Sequence, residues 1–263
     1  MNFETISLEI KKTIAHLTLN RPSVYNALNE QMHFELQDAL GQIKNNTDIR
    51  VLVIAGTGKA FCTGQDLNDR SVNNGDESID LGESIERKYN PLISAIYNLP
   101  IPTIAYVNGI TAGAGVGIAL ACDFTIVSER AYFLQAFCKI GLVPDSANTF
   151  FLPRLVGMAK AKELCMLGDK LSAQDALKYG LITRVHSDEN IAKEVEQLAT
   201  SLSTAPTYGL SLIKQALHSS LDNTFEQQIE LEKQFQRKAG FSSDYKEGVN
   251  AFLNKRVPNF QGQ

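Results

Sequence analysis

The 263-residue chain contains no tryptophan, only four cysteines and four histidines, and no excess of positive charge. Cys62, Cys122, Cys138 and Cys165 are scattered without a C-x-x-C pair. A metal site needs clustered ligands, and a disulfide framework needs denser cysteine in a shorter chain, so neither is expected. Cys122 and Cys165 lie in apolar runs and read as small core residues. His16, His33, His186 and His218 stand apart from one another and from any H-E-x-x-H pattern, which leaves them as surface or packing residues. With 25 basic against 29 acidic side chains the net charge is −4, which argues against nucleic acid or an anionic membrane as the main partner. No apolar run approaches the roughly 20 residues that span a bilayer. Residues 1–5 have neither the basic nor the apolar region of a signal peptide. A cytoplasmic protein is predicted.

What is present is an ordinary globular composition, 44% hydrophobic and 21% charged. A chain of this length hides roughly 70–75% of its unfolded surface, which allows a sizeable core. Ile6, Leu8 and Ile10, then Ile14, Leu17 and Leu19, alternate about a Lys11-Lys12-Thr13 turn and predict a β-hairpin. Asn29 precedes Met32, Leu36, Leu40 and Ile43 at helical spacing and predicts a capped helix. Residues 51–54 form a continuous apolar strand of the kind covered on both faces, followed by a loop at 57–66. Residues 71–82 are polar and acidic and read as a mobile surface segment. Ile85, Tyr89, Leu92, Ile93 and Ile96 mark a helix face interrupted at Pro91.

Further strands are predicted over 103–107, 124–127 and 181–185, and a short apolar helix over 118–122. From residue 159 onward the pattern is mostly helical, with Ser172 capping a helix that ends near Gly180. Helices follow over 191–202, 209–218, 225–238 and 245–253. No internal repeat is visible. Residues 1–190 therefore read as one α/β core and 191–263 as a helical tail.

Glycines 113, 115 and 117 follow a strand and open a helix, but G-x-G-x-x-G fails in every register because positions 118 and 120 are Ile and Leu. Gly58-Lys59 lacks the upstream glycine and the hydroxyl of a P-loop, and no serine sits in G-x-S-x-G. Dinucleotide, nucleoside-triphosphate and triad chemistry all lack support. The glycines then mean either tight strand–helix packing or close approach of backbone N–H groups to a ligand.

Two stretches occur together, KAFCTGQDL at 59–67 and VNGITAGAGVGIALACD at 107–123. They are joined in order by NRP at 20–22 with NAL at 26–28, LSAQDA at 171–176 with Gly180-Leu181, and EGVNAFLNKR at 247–256. This set resembles the crotonase (enoyl-CoA hydratase/isomerase) superfamily over nearly the whole chain. The resemblance implies a ClpP/crotonase-like ββα spiral core with a C-terminal helical trimerisation region, and trimers that pair into hexamers. It also implies an acyl-CoA thioester substrate, with no metal and no separate cofactor, coenzyme A being part of the substrate.

The superfamily's chemistry stabilises the enolate formed when a proton leaves the carbon beside a thioester carbonyl, and two backbone N–H groups aimed at that oxygen serve the purpose. The resemblance assigns them to Gln65 and Ala114. It places coenzyme A against Ser23, Val24, Ala60, Asp66 and Leu67, with Phe252 and Lys255 reaching its adenine and phosphate end from the same or a neighbouring subunit. Lys255 is otherwise a solvated helix-end cation. Tyr89 and Phe137 are walls of the acyl pocket or simply core.

Hydratases of the superfamily carry two glutamates that activate water, at positions occupied here by Gly117 and Phe137. Ordinary hydration is therefore not expected. Asp145, in GLVPDSANT at 141–149, offers one carboxylate where hydratase-like members carry glycine. It is either a turn-forming or capping aspartate, or a proton shuttle whose pKa partial desolvation raises.

Segments 61–70, 81–91, 142–145, 208–216 and 244–248 are similar to a branch of isomerases that convert ring-1,2-epoxyphenylacetyl-CoA to oxepin-CoA in aerobic phenylacetate breakdown. For that branch a second activity on the double bond of dehydroadipyl-CoA is implied, with Asp145 as the proton shuttle and other enzymes of the pathway as partners. Ser146-Ala147-Asn148 departs from a more glycine-rich run at this point. The rival readings are an enoyl-CoA hydratase or Δ3,Δ2-enoyl-CoA isomerase of fatty-acid oxidation, and a non-catalytic acyl-CoA-binding subunit.

Overall fold

The computed structural model describes residues 3–68 and 80–263, so most of the segment expected to be a mobile surface loop lies outside the described residues. The hairpin forms as β1 (Ile6–Lys11) and β2 (Ile14–Leu19), antiparallel with Ile6 opposite Leu19. Asn29 accepts a hydrogen bond from the Met32 N–H and starts α1 (Glu30–Asn45), which buries Met32, Leu36, Leu40 and Ile43 as its spacing predicts. β3 (Val51–Gly56) runs parallel to β2. Its alternate residues feed two cores. Leu52 and Ile54 join the main one, while Val51 and Val53 pack with Ile191, Val195 and Ala199 of α7 (Ile191–Ser203).

From β3 onward the chain makes the same move three times. β3 is followed by β4 (Ala60–Cys62), β5 (Thr103–Val107) by β6 (Ile110–Ala112), and β7 (Phe124–Ser128) by β8 (Tyr132–Leu134). Each time the first strand joins a sheet ordered β1-β2-β3-β5-β7-β10 and the second a smaller one ordered β4-β6-β8-β9. β9 (Lys170–Ser172) and β10 (Arg184–His186) close the two sheets. The result is a stepping spiral of paired strands with parallel neighbours in both sheets, apart from β1 and β9. The small-sheet strands are three residues long, too short for alternation to register. That is why residues 57–66 read as plain loop and why the repeat is invisible in the sequence.

Two helices differ in extent from the sequence reading. α4 (Ala114–Leu120) begins at Ala114 rather than at 118, and α5 (Asn148–Leu167) begins at Asn148 rather than 159 and is broken at Gly157 (φ 76°). The predicted face at 85–96 is split into α2 (Leu81–Ser84), a π-helical turn (Ile85–Tyr89) and α3 (Asn90–Tyr97). Pro91 has no N–H to give the Arg87 carbonyl; Gln37 Nε2 of α1 donates to it at 3.4 Å instead. Ser172 caps α6 (Ala173–Lys178) as expected, and the final strand lies at β10 rather than over 181–185.

The tail continues as α8 (Thr207–Ser219), α9 (Phe225–Gly240) and α10 (Ser243–Leu253). Lys214 of α8 pairs with Asp123 at 3.0 Å, and Arg50 donates to Thr207 Oγ1 and to the Phe260 carbonyl. Among the described residues no helix is long and apolar enough to cross a membrane, and no group of three His, Cys, Asp or Glu could hold a metal ion.

Candidate active site

Two glycine turns bring the distant motifs together. Gly64 (φ +84°) and Gly113 (φ +54°) both take left-handed backbone that side chains rarely adopt. They pack on each other: a Cβ on Gly64 would stand 3.1 Å from the Ala114 nitrogen. One on Gly115 would stand 2.2 Å from the Cys62 carbonyl oxygen, so α4 can lie flat on β4 only with glycine there. Leu28 N–H donates to the Gly64 carbonyl at 2.7 Å and Asp66 N–H to the Leu28 carbonyl at 2.9 Å, a pairing that leaves the Gln65 N–H unused. Ala114 is the first residue of α4, and its N–H is one of those a helix cannot bond internally. Two such N–H groups on adjoining turns are the donor set that an oxyanion needs.

The side chain of Gln65 is held from the other side. Its Oε1 accepts from the Tyr89 hydroxyl and its Nε2 donates to the Asp66 carbonyl at 3.0 Å. Tyr89 is buried on the π-helical turn with His33 edge-on at 4.5 Å. The half-buried Phe137 ring lies beside Gly113, 3.7 Å from where a Cβ would be. Cys62, between these turns, is fully buried, and burial pushes its thiol up to about 12, which makes it a core residue rather than a nucleophile.

The expected coenzyme A residues divide. Asp66 is buried and ion-paired with Arg21 at 2.9 Å, and Arg21 also donates to the Ala27 carbonyl. Buried Asn26 accepts from the Arg21 N–H and donates to the Thr57 and Ala60 carbonyls. These bonds gather Ser23 and Val24, on a 3₁₀ turn (Pro22–Val24), around buried Ala60, Asp66 and exposed Leu67. Phe252 and Lys255 are not gathered there within one chain. Phe252 is 83% exposed on α10 and borders a groove of about 410 Å³ shared with Pro206, Tyr245, Gly248 and Phe260.

Asp145 sits half-buried on the turn before α5. Its carboxylate accepts from the Ser146 hydroxyl at 2.9 Å, and Ser146 and Ala147 both take left-handed backbone. The turn presses on α4: a Cβ on Gly117 would stand 2.1 Å from the Ser146 carbonyl oxygen. Position 117 therefore cannot hold a carboxylate without moving this turn. The fully buried Asn148 donates from Nδ2 to the Asp145 carbonyl at 2.8 Å and to the Gly113 carbonyl at 3.2 Å, and accepts from Gln135 Nε2 at 2.8 Å. Asn148 and Gln135 carry no motif of their own; the only signal was the break in the glycine-rich run.

A separate apolar cleft of about 390 Å³ lies between α3, α5 and α8, lined by Tyr97, Phe150, Phe151, Leu155, Lys214 and His218 among others. None of the residues expected at the catalytic, oxyanion, coenzyme A or acyl positions lines it.

Residues 9–263 match the family model described as enoyl-CoA hydratase/isomerase. The chain is 47% identical over 260 residues, covering 99% of each chain, to the 1,2-epoxyphenylacetyl-CoA isomerase of Escherichia coli (strain K12). It is 41% identical over the full length of both chains to a protein named "Probable enoyl-CoA hydratase" from Rhodobacter capsulatus. The crystal structure of enoyl-CoA hydratase from Bacillus anthracis superposes with a TM-score of 0.91 at 30% identity, covering 99% of this chain and 100% of that one.

Proposed function

The chain belongs to the enoyl-CoA hydratase/isomerase family, and from that premise we propose that it is an isomerase of ring-1,2-epoxyphenylacetyl-CoA, forming oxepin-CoA in aerobic phenylacetate breakdown. The observation that carries this reading is the carboxylate arrangement. Gly117 is packed on the Ser146 carbonyl with no room for a side chain, Phe137 stands at the other hydratase position, and Asp145 remains beside the Gly113–Ala114 turn. Water activation by a carboxylate pair is thereby lost, while a single base that removes and returns a proton is kept.

In this reading Asp145 takes a proton from the carbon beside the thioester carbonyl, and the Gln65 and Ala114 N–H groups hold the enolate oxygen. Each such donor is worth about 10²–10³ in rate. The C–C bond shared by the epoxide and the six-membered ring breaks to open the seven-membered ring, its electrons remaining in the ring's double bonds, and Asp145 returns the same proton to the ring carbon at the far end of the conjugated enolate, so no atom is gained or lost. The same proton removal and return shifts the double bond of dehydroadipyl-CoA. Tyr89 and Phe137 wall the acyl end; Ser23, Val24, Ala60, Asp66 and Leu67 carry coenzyme A, joined by Phe252 and Lys255 of a neighbouring subunit in a trimer or paired trimers. No cofactor beyond the substrate's own coenzyme A is called for.

The test is product analysis with epoxyphenylacetyl-CoA beside a straight-chain 3-enoyl-CoA, for the wild type and Asp145→Asn. The expected result is oxepin-CoA from the first substrate and a shifted double bond from the second, both abolished in the variant while CoA-ester binding survives. Turnover by Asp145→Asn would remove Asp145 from the mechanism. A wild type that acts only on the straight-chain ester would favour the fatty-acid-oxidation isomerase.

A further inference from the structure

We propose that Asn148 is a positioning residue that aims the Ala114 N–H and fixes the Asp145 turn at the same time; this rests on the reading of Ala114 and Asp145 given above. The argument begins with one peptide unit. The Gly113 carbonyl and the Ala114 N–H share a planar group, so whatever fixes the direction of the carbonyl also fixes where the N–H points. Asn148 Nδ2 donates to that carbonyl at 3.2 Å. Hydrogen bonding at the oxygen also polarises the peptide and strengthens its N–H as a donor. The same carbonyl accepts from the Val116 N–H of α4 at 3.1 Å, so Asn148 is its second donor and the side-chain one that reaches it from the Asp145 turn.

The second amide hydrogen goes to the Asp145 carbonyl at 2.8 Å, and the Asn148 backbone N–H donates to the same oxygen at 3.0 Å. Between these residues Ser146 and Ala147 sit at φ 53° and 58°, an arrangement that costs energy and persists only when its surroundings impose it. The orientation of the amide is itself determined, because Oδ1 accepts from buried Gln135 Nε2 at 2.8 Å, leaving both hydrogens for the two carbonyls. One fully buried side chain thus ties the proposed oxyanion donor to the backbone of the proposed base. A glycine at 148 could supply none of these side-chain bonds.

The experiment compares wild type, Asn148→Ala and Asp145→Asn, with isomerisation of a straight-chain 3-enoyl-CoA and with the absorption spectrum of bound cinnamoyl-CoA. The cinnamoyl band moves to longer wavelength when its carbonyl accepts strong hydrogen bonds, so it reads the oxyanion donors without turnover. Asn148→Ala is expected to lower kcat about 10- to 100-fold, below the full loss of a donor, with KM within about threefold of wild type and a smaller red shift. Asp145→Asn is expected to keep the red shift and lose turnover. A wild-type kcat and full red shift in Asn148→Ala overturn the role of Asn148 alone. Bound cinnamoyl-CoA without a red shift in the wild type, or turnover by Asp145→Asn, overturns the underlying reading and the proposal with it. Should the alanine variant fail to fold, Asn148→Asp keeps the size and the bond from Gln135 but cannot donate to either carbonyl when ionised; the same losses are expected, and wild-type behaviour there overturns the proposal equally.

Discussion

A Cβ on Gly117 would stand 2.1 Å from the Ser146 carbonyl oxygen and 2.7 Å from its Cβ, far inside contact distance. Gly117→Glu, which restores one hydratase carboxylate, is therefore expected to force the Asp145 turn aside at a cost of about 1–3 kcal/mol or more. It should gain no crotonyl-CoA hydration, because Phe137 still occupies the second position, and the wild type should hydrate crotonyl-CoA negligibly as well. Thermal unfolding and a crotonyl-CoA assay check both; an unshifted melting temperature would mean that the turn yields without strain. Asp145, Gln65 and Ala114 could be singled out because motif and spacing mark them. Asn148 could not, since its value lies in reaching two carbonyls, one of them 35 positions away at Gly113. Asp66 was expected against coenzyme A largely through its backbone; that its carboxylate pairs with Arg21 is a further feature the motif did not show.

Elements were legible where their period was long enough. α1 announced itself through Asn29 and four apolar residues at helical spacing, and β3 through an unbroken apolar run that two cores cover. The small sheet was not legible, because strands of three residues carry one or two alternations at most. The π-helical turn before Pro91 was not legible either, since its cause is a missing N–H compensated by Gln37 from another helix. How α1 is tied to the first strand was also hidden. Burial alone would raise the Glu35 carboxyl, but the Glu4 and Thr5 N–H groups, the Thr5 hydroxyl and the Gln31 amide outweigh it and hold the pKa at about 2. The folded-state value lies below the unfolded 4.5, so this stabilisation is fully present above about pH 4.5 and is lost as pH falls toward 2. By linkage it is worth about 3 kcal/mol. Glu35→Gln should be less stable than wild type at pH 7 by an amount of that order, and the gap should shrink to about 1 kcal/mol at pH 2.5. Urea unfolding at both pH values measures it; a gap that stays constant would mean that the carboxylate's charge is not what holds the strand.

The whole molecule leaves its last helices uncovered in one chain. No residue of α9 is buried, although a helix of its length is marginal in water unless an apolar face is packed. Phe225, Phe241, Phe252, Leu253 and Val257 are all at least 73% exposed. Periodicity made these helices legible, but it could not say what covers them, because no described segment of the chain lies over that surface. An exposed apolar face of this kind marks an association surface, and the proposed trimer supplies a second copy as its cover. Phe241→Asp with Val257→Asp leaves Phe252 and Lys255 in place and is expected to lower the mass measured by analytical ultracentrifugation. If Phe252 and Lys255 serve the coenzyme A site of a neighbouring subunit, dissociation should also raise KM for a CoA ester about tenfold, the order of one lost contact region of 1.4 kcal/mol, with kcat little changed because Asp145, Gln65 and Ala114 all lie in one chain. Dissociation without a change in KM would confine the coenzyme A site to a single chain, and an unchanged mass would mean that these residues do not hold the copies together.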